Sequence, residues 1–238
     1  MSWLFFSLAL LLIVIKVTAA SEPLSVPPSL TAADLGAFFD GILQTQLAQR
    51  DTAGAVVAVV HGRQVLFARG YGYSDMESGK GVSVEETLFR AGSISKTLIW
   101  TAVMQLWEQG RIRLDADIND YLDFYVPAPF YVPVTMLHLM SHTAGWEEEL
   151  KDSMTNSLTG LMSLEDYVHH NLPRQIFQPG TVPAYSNYGA DLAAYIVQRI
   201  SGQPFERYID DHIFQPLNMS LSSFAQPLPE HSCQRATC

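Results

Sequence analysis

Residues 89–100 read FRAGSISKTLIW, and this stretch places Ser93 three residues before Lys96 at the point where an apolar pattern begins. The pattern predicts a buried helix from Ser93 to Gln109, which Gly110 ends. Residues three apart lie on one helix face, so the lysine amine can reach the serine hydroxyl. A serine beside an amine is typical of an activated nucleophile. The alternative is a helix cap beside a lysine that extends to solvent.

A second polar motif, Tyr185 with Asn187, lies in the segment PGTVPAYSNYGADLAAY. The segment predicts a loop followed by a helix from Gly189 to Ser201. A phenol can accept or relay a proton, and a side-chain amide can form hydrogen bonds on two sides. Both side chains could therefore point into one cleft. The alternative is that Tyr185 packs in the interior and Asn187 caps the helix.

The remaining pattern indicates an α+β fold. Thr31 and Asp34 form an N-terminal capping pattern for a first helix, whose apolar residues recur on one face. Two β-branched runs, Ala55–Val60 and Gln64–Tyr71, predict a hairpin. Further helices are predicted over 135–142, over SLEDYVHH with Ser163 and Asp166 as caps, and from Pro204 to His212. Two strands are too few to be stable alone, yet no further strand pattern follows.

Composition excludes some classes of function. The 238-residue chain has 24 acidic and 14 basic side chains and a formal charge of -10, which disfavours nucleic-acid binding. The chain lacks CxxC and HExxH, so no metal site is predicted. The acidic run Glu147, Glu148 and Glu149 is interpreted as a solvated loop.

The N-terminus resembles a secretory signal peptide. An apolar run from Trp3 to Ile15 is followed by small residues, which predicts a signal peptide over 1–20 and a secreted or periplasmic protein. The run is shorter than the ~20 residues that cross a bilayer, so no stable membrane span is expected once it is removed. The alternative is an anchor formed by an uncleaved segment. We predict one domain over 21–224 and a disordered tail over 225–238.

The quoted stretch also belongs to an ordered series of motifs. TLFRAGSISK, GRIRLDADINDYL, TMLHLMSHTAGW, FQPGTVPAYSNYGADLAAYIVQRISGQPF and IFQPLNMS together resemble the serine β-lactamase and penicillin-binding-protein superfamily. The resemblance is strongest to the branch of class C β-lactamases, D-alanyl-D-alanine carboxypeptidases and related esterases. It covers residues 31–224. It implies the β-lactamase/transpeptidase-like fold, in which a helical region lies beside an antiparallel sheet.

The resemblance also implies roles for four residues. Ser93 resembles the acyl-accepting nucleophile, and Lys96 resembles its hydrogen-bonded base. Tyr185 resembles the tyrosine that shuttles the proton, and Asn187 resembles the residue that binds the substrate amide. A serine hydrolase that acts on a small-molecule or peptide amide or ester through an acyl-enzyme is therefore expected, with no cofactor. Whether Lys96 or Tyr185 is the resting base stays open, as does the choice among lactams, D-alanyl peptides and esters.

One family motif is missing. The family has a third element, K-T-G or H-x-G, on a strand that lines the cleft, and nothing after Asn187 matches it. We therefore expect the chain to correspond to an N-terminal portion of the family fold, with an incomplete sheet and weak catalysis. The alternative function is that of a catalytically inactive, truncated homologue with at most a binding role.

Overall fold

The computed structural model describes residues 30–49, 52–150, 154–155 and 157–229. The predicted signal peptide lies outside these ranges, as do residues 230–238 of the predicted tail, so the domain boundaries stay predictions. Over the described ranges, no helix combines the length and hydrophobicity that a bilayer crossing needs.

The first helix, α1 (Ala32–Ala48), begins as predicted. The Thr31 side chain accepts a hydrogen bond from the Asp34 backbone, and the Asp34 side chain accepts one from the Thr31 backbone. This reciprocal pairing satisfies two backbone donors that a helix start leaves free. The predicted single apolar face is only partly buried, because Leu35 is buried whereas Phe38 is 59% exposed.

The sheet has three antiparallel strands in the order β1-β2-β3. The predicted hairpin is confirmed as β1 (Gly54–His61) and β2 (Gln64–Asp75), with a register shift between Val59 and Val60. A third strand, β3 (Lys80–Gly81), pairs with the end of β2, contrary to the expectation that no further strand follows. It is two residues long, which is too short to show an alternating pattern.

Helices joined by loops and 3₁₀ turns make up the rest of the described chain. In order they are α2 (Lys96–Glu108), α3 (Met136–Met140), α4 (Leu164–His170), α5 (Asn187–Ser201) and α6 (Phe205–Ile209). The predicted helix from Ser93 starts instead as a 3₁₀ turn, Gly92–Ser95, which leads into α2. The helix predicted to reach His212 changes after α6 into a π turn, Asp210–Phe214. The α+β prediction is confirmed.

The helical core is built around α5. Nine of its 15 residues are buried, and its apolar side chains pack against α2, α3, α4 and α6. It begins two residues earlier than predicted, at Asn187, because the Ser186 side chain accepts a hydrogen bond from the Gly189 backbone and serves as the N-cap. It ends at Gly202, whose φ of 78° suits a glycine. Packing of α5 on α2 brings the first residues of the two helices together.

Candidate active site

Ser93 and Lys96 are paired through local structure. Ser93 lies exposed in the 3₁₀ turn, and Lys96 is the half-buried first residue of α2. Lys96 Nζ donates a hydrogen bond to Ser93 Oγ at 3.2 Å. The N-cap position of α2 is occupied by Ser95. The alternative interpretation of Ser93 as a helix cap is therefore wrong.

The second motif meets the first one. The Tyr185 hydroxyl donates to Ser93 Oγ at 2.6 Å, and Lys96 Nζ donates to Asn187 Oδ1 at 2.6 Å. Lys96 Nζ also lies 4.9 Å from the centroid of the Tyr185 ring. Tyr185 is 47% exposed and Ser186 is the N-cap of α5, so the packing and capping alternatives are wrong. The structure thus brings together all four residues that the sequence singled out.

The electrostatic setting favours proton exchange at Tyr185. Hydrogen bonding with Lys96, and then with Ser93, lowers the pKa of Tyr185 below its ordinary value, while burial and the charge of Glu148 oppose this effect. A lowered pKa makes the phenolate more accessible near neutral pH.

A ladder of backbone hydrogen bonds holds the Tyr185 segment in place. It joins residues 142–147 to residues 174–184 through backbone hydrogen bonds of 2.7 to 2.9 Å. The donor and acceptor pairs are Glu147 N to Arg174 O, Ile176 N to Gly145 O, Gly180 N to Thr143 O and Ala184 N to His142 O. Gly145 has a φ of 82°, and a Cβ there would overlap the carbonyl of Phe177. Only glycine allows this close approach. The ladder ends next to Tyr185.

Known protein families include one that matches most of this chain. The profile of the family described as Beta-lactamase matches residues 39–237. The chain belongs to the Beta-lactamase family. The resemblance inferred from its motifs is confirmed, and so is the fold that the resemblance implied.

Three relatives illustrate the range of the family. Esterase EstB of Burkholderia gladioli is 34% identical over 216 residues, which cover 85% of this chain and 55% of EstB. The Beta-lactamase of Yersinia enterocolitica is 30% identical over 190 residues, which cover 80% of this chain and 47% of that protein. The structure of a penicillin-binding protein homologue from Pyrococcus abyssi has a TM-score of 0.72 and 26% identity, covering 81% of this chain and 45% of that one. The chain thus spans about half the length of these relatives and covers only part of the family fold.

Glu148 is a site residue that the sequence interpretation missed. Its Oε2 accepts a hydrogen bond from the Asn187 backbone at 2.9 Å, and its Oε1 accepts one from Asn187 Nδ2. The interpretation of the acidic run as merely solvated is therefore wrong for this residue. A carboxylate only accepts hydrogen bonds, so it turns the NH₂ group of Asn187 toward itself and leaves Oδ1 facing Lys96. Sequence gives no signal for this contact, because it joins residues 39 positions apart.

We expect Glu148→Gln to slow reaction of the Beta-lactamase-family site with a serine-directed probe. Each Asn187 donor contacts a different oxygen of Glu148, and a glutamine replaces one of these oxygens by an NH₂ group that cannot accept. Loss of a hydrogen bond to a charged group is worth about 1.5–3 kcal/mol, so we expect a loss in rate of about 10- to 150-fold. The rate of covalent labelling measures the effect.

The neighbouring acids provide matched controls. Glu147→Gln and Glu149→Gln remove the same charge from the same acidic run, and the contacts to Asn187 come from Glu148. We expect both variants to label at nearly the wild-type rate. Equal losses in all three variants would show that net charge matters and that the contact to Asn187 does not.

Asp191 is a partly accessible carboxyl one helical turn after Asn187 on α5. Burial raises the pKa of Asp191 to about 6, with a further increase from the charge of Glu148 and an opposing effect from Lys96. Residues four apart share a helix face, so Asp191 lies on the same face of α5 as Asn187. α5 therefore carries, one turn after Asn187, a carboxyl group whose ionised form opposes folding.

Asp191→Asn is expected to stabilise the fold at pH 8. The unfolded chain ionises this carboxyl near pH 3.8 and the folded chain near pH 6, so stability is lost as pH rises through this window. The variant removes this loss, which amounts to roughly 1–3 kcal/mol. Urea denaturation at pH 4 and pH 8 measures the difference, with the exposed Asp120→Asn as a control for removing one charge. Equal stability of wild type and Asp191→Asn at pH 8 would contradict the prediction.

One group of possible metal ligands occurs among the described residues. Asp123, Glu165 and His169 place their ligand atoms within 4.8 Å of one another. Arg199 Nη1 lies 2.7 Å from Asp123, and the Tyr195 hydroxyl donates to the same carboxylate at 3.0 Å. A guanidinium at this distance competes with a cation, so the cluster is explained as a structural ion pair that ties Asp123 to α5.

Proposed function

We propose that this chain carries the acyl-enzyme site of a serine hydrolase that acts on an amide or an ester, with Ser93 as the nucleophile. The observation that carries the proposal is the double contact of Ser93 Oγ, at 3.2 Å from Lys96 Nζ and 2.6 Å from the Tyr185 hydroxyl. A serine hydroxyl is a weak nucleophile until a neighbouring group takes its proton. Both neighbours are within direct reach of that proton.

The proposed reaction has two halves. The Ser93 proton moves to the Lys96–Tyr185 pair while Oγ forms a bond to the substrate carbonyl carbon. The carbonyl carbon then releases its amine or alcohol, which takes the proton from the pair. Water attacks the acyl-enzyme in the second half and gives its proton to the same pair, and Ser93 regains a proton as the acid leaves. Each half needs one group that accepts and then returns a proton, and either neighbour of Ser93 Oγ is close enough to do so.

Asn187 is proposed to bind the substrate. Its Oδ1 accepts from Lys96 and one N–H of its Nδ2 points to Glu148. The second N–H of the same group is assigned to the carbonyl oxygen of the substrate amide. In this role Asn187 links Lys96 to the bound acyl group, and Glu148 fixes the orientation of the link.

We propose no finer substrate class than amides and esters. Esterase EstB and the Yersinia enterocolitica Beta-lactamase are similar to this chain, and their names indicate ester and lactam substrates. The same nucleophile serves lactams, D-alanyl peptides and simple esters. The proposal is therefore of a shared acyl-transfer step.

Intact-mass spectrometry before and after treatment with a fluorophosphonate tests the proposal. We expect one adduct per chain, located by fragmentation on the peptide that contains Ser93. A folded chain that gains no adduct would contradict the proposal and support the alternative of an inactive homologue that at most binds a ligand.

Export is proposed on the sequence pattern alone. The apolar run from Trp3 to Ile15 supports a signal peptide over 1–20 and a secreted or periplasmic location. The same mass measurement on protein from its native source tests this proposal. A mass that includes residues 1–20 would favour an uncleaved anchor.

A further inference from the structure

His142 contacts the tyrosine of the site and both of its neighbours. Its carbonyl oxygen accepts from Ala184 N at 2.7 Å, and its Nδ1 accepts from Ser186 N at 3.2 Å. Its ring stacks on Tyr185, with the centroids 4.3 Å apart and the planes inclined by 29°. We infer that His142 is a positioning residue that holds the Tyr185 hydroxyl against Ser93. This inference rests on the proposed function.

Tyr185 needs such support because burial alone does not hold its ring. The side chain is 47% exposed, whereas tyrosines of the core such as Tyr188 and Tyr195 are almost fully buried. An exposed tyrosine can change rotamer, and each change would move its hydroxyl away from Ser93. The stacked imidazole limits this movement by packing against one ring face.

The backbone of His142 is itself unusual. Its φ is 54°, a left-handed conformation that few residues other than glycine adopt. Trp100 of α2 lies edge-on to the imidazole, with the ring centroids 6.4 Å apart. The ring is thus packed between α2 and the tyrosine. A strained conformation that persists is kept by its surroundings, and such positions cluster at functional sites.

The hydrogen bond from Ser186 also fixes the state of the imidazole. Because Nδ1 accepts a hydrogen bond from the Ser186 backbone N–H, Nδ1 carries no proton, so the ring is neutral and its own proton lies on Nε2. Burial, and then the charge of Lys96, lowers the pKa of His142, while Glu148 opposes this effect. The charged or titratable groups that face the ring are therefore Lys96, Glu148 and Tyr185. A neutral ring can support the tyrosine without adding positive charge beside Lys96.

His142→Asn separates the stack from the other contacts. Asparagine tolerates a positive φ, and its Oδ1 occupies the position of Nδ1, so it can still accept from Ser186. Only the aromatic ring is lost. We expect the rate of fluorophosphonate labelling to fall about three- to tenfold, which is the value of one aromatic pair. We also expect the midpoint of the pH profile of the labelling rate to rise, because Tyr185 is no longer held beside Lys96.

His138→Gln is the matched control. His138 is a second partly buried histidine on α3, and its ring accepts from the Thr135 backbone. We expect this variant to lower stability and to leave the labelling rate of the folded protein and its pH profile unchanged. A shift in the profile of His138→Gln equal to that of His142→Asn would overturn the inference.

A double-mutant cycle with Tyr185→Phe gives the decisive result. If His142 acts by placing the tyrosine hydroxyl, His142→Asn should cause no further loss in Tyr185→Phe. Losses that multiply would show a general effect on the fold and would overturn the inference. Unlabelled wild-type protein would refute the proposed function and the inference with it, whereas labelled wild type with an unaltered His142→Asn refutes the inference alone.

A second variant tests the stack and the hydrogen bond in the opposite combination. His142→Phe retains a ring for the stack and loses the acceptor for Ser186. We expect a fall in rate of about two- to tenfold with an unchanged pH midpoint. A shifted midpoint in this variant would overturn the assignment of the stack.

Discussion

Ser93→Ala is expected to abolish covalent labelling by a fluorophosphonate, with a fall in rate of at least about 10³-fold. The substitution removes the oxygen that both Lys96 and Tyr185 contact, and no other atom takes its place in the turn. Ser93 is exposed, so loss of its hydroxyl should change the free energy of unfolding by less than about 0.5 kcal/mol. Intact mass gives the extent of labelling, and thermal unfolding checks the fold.

Ser95→Ala is the matched control, because Ser95 lies two residues later in the same 3₁₀ turn. It removes an identical hydroxyl from a position that is the N-cap of α2. We expect this variant to gain one adduct at nearly the wild-type rate. An adduct on Ser93→Ala at the wild-type rate would refute Ser93 as the nucleophile.

Lys96→Met is expected to lower the labelling rate by about 10²- to 10⁴-fold. The change removes the amine that contacts Ser93 Oγ at 3.2 Å and Asn187 Oδ1 at 2.6 Å, and it keeps a flexible chain of similar length. Without the amine, Tyr185 also loses the hydrogen bond that contributes most to its lowered pKa. The pH profile of labelling should therefore shift upward, toward the ordinary range of tyrosine.

Lys96→Arg separates charge from proton transfer. A guanidinium keeps the positive charge and does not give up its proton at working pH. We expect Lys96→Arg to be nearly as slow as Lys96→Met if the amine accepts the serine proton. A rate close to wild type in Lys96→Arg would assign proton acceptance to Tyr185 and leave Lys96 an electrostatic role.

The sequence predicted those features of the fold that depend on local structure. The capping box of Thr31, the hairpin, and the C-terminal end of α5 at Gly202 each follow from a few adjacent residues. The pairing of Ser93 with Lys96 is local in the same sense, because the two residues lie three positions apart at the start of α2. The convergence of Tyr185 on that turn followed from family resemblance, and local physics does not supply it.

The features that the sequence missed depend on distant contacts. Glu148 reads as one acid among three, and only the ladder between 142–147 and 174–184 brings it to Asn187. Phe38 reads as part of an apolar helix face, yet 59% of it is exposed. Periodicity identifies a helix face that could be buried, but which element buries it depends on the tertiary structure.

The distance along the chain between the two motifs has a consequence for when the site becomes reactive. Ser93 and Lys96 can pair once α2 has formed, whereas Tyr185 and Asn187 follow 92 and 91 residues after their partners and arrive only when α5 docks. Contacts this far apart are slow to form because a long loop must close first. Under the proposed function, the hydroxyl of Ser93 in a refolding chain therefore remains unactivated until the helices assemble. The rate at which the refolding chain gains reactivity at Ser93 would then measure the rate at which the helices assemble.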